Sequence, residues 1–261
     1  MKKTLIAILF IFLGLSGFAQ KQKVNFLTTF DDKLIHFGFT IGINALDFNV
    51  VNYPDFVSAG ITAADLPQDN SGSSVLIPMR NGGEPFVYSD VATIVPGFTV
   101  GIISSLRLTK DLNLRFLPGL SFGERQLTYN IPVYDINSYE TSSYYYSIKS
   151  TFLDFPLLIK YKARRINNDR PYVIFGGAYR HDISRTAQED LIKLKGGGFY
   201  AEVGGGWDHY FAFFRFSVEA KFSYGLNNQL GDLPGGIQSP LYAKSIQDLR
   251  SKIFTLSFHF E

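Results

Sequence analysis

The chain of 261 residues carries 25 basic and 23 acidic residues, a formal charge of +2, and no basic run long enough to follow a phosphate backbone, which argues against a nucleic-acid partner. It has no cysteine, so neither a disulfide scaffold nor a cysteine-acylated lipoprotein is open to it. Aromatic residues make up 16%, with 25 Phe and 15 Tyr, and beyond the N-terminus no apolar segment is long, so the aromatics must be distributed over strands.

Residues 1–19 have the three parts of a secretory signal peptide: Lys2 and Lys3, an apolar run from Leu5 to Leu15, then small Ser16, Gly17 and Ala19. The run is short for a membrane helix and polar Gln20, Lys21 and Gln22 follow at once, so cleavage after Ala19 is expected. Residues 20–33 are expected to form a short periplasmic segment. From 34 to 261 no linker or low-complexity stretch divides the chain, and a single all-β domain is expected.

Alternation with period two begins at His36, with Phe37, Phe39, Ile41, Ile43 and Ala45 on one face against His36, Gly38, Thr40, Gly42 and Asn44. It returns over 98–107, 112–122, 150–161, 173–180, 199–207, 210–223 and 254–260, eight strands in all. The intervening connections alternate long and short. Only Thr109 to Asp111, Arg164 to Arg170, and Asp208 with His209 separate the second and third, fourth and fifth, and sixth and seventh strands, which puts every long loop at one end.

An even strand number, short turns on one side and long loops on the other are the signature of an outer-membrane barrel: eight antiparallel strands in up-and-down order. A soluble lipocalin-like barrel or sandwich would turn its apolar face inward. Here the polar face is rich in Gly, Ser and paired charges suited to a narrow lumen, and the last strand ends near an aromatic, Phe260, which suits recognition by outer-membrane assembly machinery. The long connections, residues 50–95, 124–149, 182–197 and 226–249, are expected outside the cell.

On the polar face, Arg107, Arg115, Lys160, Arg180, Arg215 and Lys221 stand against Asp154, Glu202 and Glu219. A buried charge costs several kcal/mol unless a partner compensates it, so these residues are expected to form a lumen network rather than line an open pore. If Asp208 and His209 are the whole sixth turn, Trp207 opposes Tyr210 and Glu202 opposes Arg215, which predicts an ion pair. Tyr161, Trp207, Tyr210, Phe258 and Phe260 fall at the short-turn ends of apolar faces and are expected to form a periplasmic aromatic girdle. The loop around Tyr129, Tyr134, Tyr139, Tyr144, Tyr145 and Tyr146 is the expected partner-contact surface, or else part of a cap over the barrel mouth.

Chemistry finds little support. His181, Asp182 and Ser184 hold the right types for an acyl-transfer triad, but neighbours on a strand point to opposite faces. His36, His181, His209 and His259 show no metal-ligand spacing, and Gly196 to Gly198 and Gly204 to Gly206 precede no helix on which an anion could sit. No catalytic residue, metal, cofactor or small-molecule substrate is expected.

Several stretches resemble the PorT family of outer-membrane barrels: Asp31-Asp32-Lys33-Leu34-Ile35-His36-Phe37-Gly38-Phe39, Asn44-Ala45-Leu46-Asp47-Phe48, Phe155-Pro156-Leu157-Leu158-Ile159-Lys160-Tyr161-Lys162 and Arg170-Pro171-Tyr172-Val173. The resemblance runs from about residue 30 to the C-terminus. It implies an accessory protein of the type IX secretion and gliding-motility machinery of Bacteroidetes-type bacteria, working through contacts with other secretion components and with outer-membrane lipid. A surface adhesion or ligand-binding barrel, and a lipid-modifying enzyme, are the alternatives.

Overall fold

The computed structural model describes residues 24–62, 88–135, 138–184, 192–231 and 241–261. The expected signal peptide, residues 1–19, and parts of all four expected long connections lie outside them. Nine strands are present among the described residues: β1 (Ile35–Asn52), β2 (Tyr88–Arg107), β3 (Leu112–Phe116), β4 (Gly119–Asp135), β5 (Ser138–Lys162), β6 (Asp169–Asp182), β7 (Gly197–Tyr210), β8 (Arg215–Gly225) and β9 (Ile246–Phe260). All pairings are antiparallel.

β3 and β4 both pair with β2 on one side and β5 on the other, so together they occupy one position, broken at Leu117-Pro118 where proline cannot donate to the ladder. The ring closes where β1 pairs with β9, Phe39 opposite Phe260 and Phe48 opposite Ser251. The barrel is thus eight hydrogen-bonded strands in up-and-down order, with no free edge among the paired segments.

Which face points out decides what surrounds the barrel. Phe37, Ile102 and Phe199 are 69%, 62% and 60% exposed on the wall, while Arg115, Lys160 and Arg215 are wholly buried inside. That inversion of the usual soluble pattern is expected of a lipid-facing wall.

Two sequence expectations are corrected. The stretch 124–149 is not a loop: β4 and β5 continue as a hairpin whose last pair is Asp135 opposite Ser138. Its tyrosines and β-branched residues favour strand, and beyond the membrane neither face must be apolar, so the alternation that marks the wall fades. The turn after the sixth barrel position is also misplaced. Asp208 and His209 remain in β7, the turn is Phe211 to Phe214, and Tyr210 pairs with Arg215. Glu202 therefore lies across from Ser223, not Arg215, and the predicted Glu202–Arg215 ion pair does not form.

Candidate functional site: a charged lumen closed at both ends

Inward positions of β8 recur every second residue, so Arg215, Ser217, Glu219, Lys221 and Ser223 rise through the lumen from the short-turn end. Each level recruits partners from other strands. At the middle, Arg115 of β3 donates to Glu219 at 2.7 Å, and the Tyr172 hydroxyl donates to the same carboxylate at 2.9 Å. Tyr172 reaches it by lying over Gly206, the residue opposite it on β7, where an added Cβ would come within 2.5 Å of the tyrosine oxygen. Beside this group Lys160 binds Asp208 at 2.8 Å, and Asp208 also accepts from Ser217 at 2.6 Å.

One level higher, Arg180 spans two carboxylates, 3.0 Å from Asp154 and 2.6 Å from Glu202. Glu202 also takes Lys221 at 2.9 Å and Ser223 at 2.7 Å. Above them stands Arg125, fully buried and without a carboxylate partner among the described residues. Its guanidinium lies 4.5 Å from the Phe48 ring centre and 4.9 Å from that of Phe152. Arg125 marks where the polar column ends.

Over it lies an apolar plug. Phe48, Leu127, Tyr129, Ile148 and Leu249 from the strands pack with Phe56, Ile192 and Leu241 from the long-loop segments. Tyr129 is fully buried there, edge-on to Tyr242 at 4.9 Å, so its side chain is part of a cap over the barrel mouth rather than an open contact surface. Tyr145 is 73% exposed and Tyr146 packs against the plug, while Tyr134, Tyr139 and Tyr144 are described only as paired strand residues.

The short-turn end is closed by the chain's own N-terminal segment. Asn168 holds it in both directions, donating to the Val24 carbonyl and accepting from the Phe26 amide, each at 2.9 Å. A 3-10 turn, Phe30–Asp32, then drives Asp31 under the lumen. There it takes the Tyr210 hydroxyl at 2.6 Å, Arg170 at 3.1 Å, Lys162 at 3.4 Å and Arg215 at 3.5 Å. Burial alone would push this carboxyl upward, but Lys162, the Tyr210 hydroxyl, Arg215 and Arg170 outweigh it and hold Asp31 well below the usual carboxylate range.

All nine residues singled out from the polar face point into the lumen or its short-turn rim, where Arg107 meets Asp32 at 3.3 Å. Arg215 pairs with Glu261, its closest carboxylate, and with Asp31. Sequence reasoning missed Asp31 and Asp208, the first because it precedes the barrel and the second because it was assigned to a turn. Of the expected girdle, Tyr161 and Trp207 are exposed on the outer wall, and Phe258 and Phe260 lie on it half-buried against Phe216. Tyr210 does not belong to it: the longer β7 turns its ring inward, to Asp31. Phe211, Phe213 and Phe214 in the turn stand exposed at that level instead.

Asp182 accepts from the Ser184 amide at 2.9 Å and from its hydroxyl, a local turn in which His181 takes no part. Among the described residues no three of His, Cys, Asp and Glu converge as metal ligands.

Comparison with known proteins places the chain. A family model described as an outer membrane protein beta-barrel domain matches residues 18–231. No curated protein matches the sequence. Among solved structures it is similar to the outer membrane protein OprG of Pseudomonas aeruginosa, 12% identical with a TM-score of 0.43, over 87% of this chain and 94% of that one. It is also similar to Ail, the attachment invasion locus protein of Yersinia pestis, 9% identical with a TM-score of 0.31, over 87% and 98%. The N-terminal β-barrel domain of Pseudomonas aeruginosa OprF is 13% identical with a TM-score of 0.29, over 85% and 97%. Similarities at that level say nothing about activity.

Proposed function

This chain belongs to the outer-membrane β-barrel domain family, and from that premise we propose that it is a non-enzymatic accessory of the type IX secretion system, of the PorT kind. It acts through protein–protein contacts. One observation carries the non-conducting part of this reading: among the described residues, a lumen filled by ion pairs and shut by an apolar plug above and the Asp31 segment below leaves no passage for cargo. A barrel so closed has its outer surfaces to work with.

The secretion role itself rests on the likeness of the segments at 31–39, 44–48, 155–162 and 170–173 to PorT. Export on a leader removed after Ala19 belongs to the same reading, and the intact mass of the cell's own protein reads it.

Deleting the gene and comparing secreted protein profiles is the test. Loss of a set of cargo proteins from the medium, with the outer membrane otherwise intact, is expected; an unchanged profile overturns the secretion role. A second reading, a surface adhesion barrel, is favoured by the β4–β5 hairpin. β5 has 25 residues where about 9–11 span a bilayer, so the hairpin stands well clear of the membrane. Normal secretion with lost surface attachment in the deletion strain would select it.

A further inference from the structure

The short-turn end carries a cleft of about 610 Å³ beneath the β2–β3 and β5–β6 turns. Six cationic side chains line it against three carboxylates, those of Asp31, Asp32 and Asp111. The carboxylates are already committed, Asp31 and Asp111 to Arg170 and Asp32 to Arg107. Two of the cations are committed to nothing among the described residues: Lys110, on the β2–β3 turn, and Arg164, on the β5–β6 turn, both exposed. They face one cleft from two turns, so the excess positive charge is held on a fixed frame.

What such a cleft takes depends on where it opens. Tyr161 is part of its lining and is at the same time 51% exposed on the outer wall. Tyrosine on a barrel wall belongs at the headgroup level, and the exposed Phe211, Phe213 and Phe214 turn reaches the same end of the barrel. The cleft thus lies where a headgroup of the periplasmic leaflet would lie, with its acyl chains running up the wall past Tyr161 and Leu157. A site at that depth, net positive and supplied with free donors, matches a phosphodiester.

We propose that this cleft binds the phosphate of an anionic phospholipid of the periplasmic leaflet, held by Lys110 and Arg164. Each cation near an anionic lipid surface is worth about fivefold in affinity, so two give a strong preference for anionic over zwitterionic lipid. The site is independent of the secretion role.

Trp207, the single tryptophan, reads the occupancy. It stands on the same end of the wall, opposite Pro171 and so next to Arg170 of the cleft. The full barrel is reconstituted in vesicles of phosphatidylcholine containing brominated phosphatidylglycerol or brominated phosphatidylcholine, and Trp207 quenching gives the relative affinity. The wild type should prefer phosphatidylglycerol, and Lys110→Gln with Arg164→Gln should cut that preference by roughly threefold or more. Both replaced side chains are exposed and unpaired among the described residues, and retained heat-modifiability on gels shows that the variant folds. A preference equal in wild type and double variant overturns the proposal. So does quenching insensitive to lipid charge, or a preference abolished by millimolar glycerol phosphate, which would point to a soluble phosphate compound.

Discussion

Arg115 and Glu219 show why individual residues matter more inside this barrel than on it. Both are fully buried, and their 2.7 Å contact is the centre of a group that includes Tyr172 and His259. Two ions taken from water repay their desolvation only through each other, so removing one partner leaves the other uncompensated. Arg115→Met is therefore expected to lower stability by about 3–5 kcal/mol, while adding Glu219→Gln to it should recover a good part of that loss. Urea unfolding in detergent measures both; additive losses in the cycle would mean that the pair is not coupled. That such residues face inward could be read from alternation, because period two needs only the residues on one strand. Which cation meets which carboxylate could not, because Arg180 finds Asp154 and Glu202 on two different neighbours.

Among elements, the N-terminal segment has the least sequence signal and one of the densest sets of contacts. It has no periodicity, yet Phe30 stacks on His36 at 4.4 Å and Asp31 gathers three cations and a hydroxyl. Because the folded Asp31 carboxyl is held below its unfolded value, its contribution is fully present above the ordinary carboxylate pKa of about 3.9 and is withdrawn as pH falls below that. Asp31→Asn should thus melt lower than wild type at pH 7, with the gap closing in acid. Melting temperatures across that range check it, and a gap constant at every pH would contradict the assignment of Asp31 as the charged anchor. The β7–β8 turn teaches the complementary lesson. Asp-His reads as a two-residue turn, but Asp208 is drawn into the lumen by Lys160 and Ser217, so β7 runs on to Tyr210.

For the molecule as a whole, the alternation of short and long connections orients the barrel. Short turns on the periplasmic side are the rule for this architecture. Cysteine-free, the chain accepts single reporters cleanly. Val57→Cys, 79% exposed at the long-loop end, should react with an impermeant maleimide on intact cells. Phe213→Cys, 93% exposed in the opposite turn, should react only after the outer membrane is opened. The reverse pattern would invert the barrel. Asn168, in the β5–β6 turn, is unsuitable as a reporter position because its side chain carries the N-terminal segment.

The sequence by itself determined the class of fold, the number of barrel positions and which face points outward, since each follows from period two and from where the alternation stops. Tertiary structure alone decided the register, the partners of the lumen charges and the closure of both ends. Register depends on turn length to the residue, and a difference of a few residues moved Glu202 from Arg215 to Ser223. Closure brings together Phe56, Ile192 and Leu241, or Asp31 and Tyr210, which are distant in sequence and share no local pattern. Their meeting is a property of the closed ring, which no stretch of the chain carries alone.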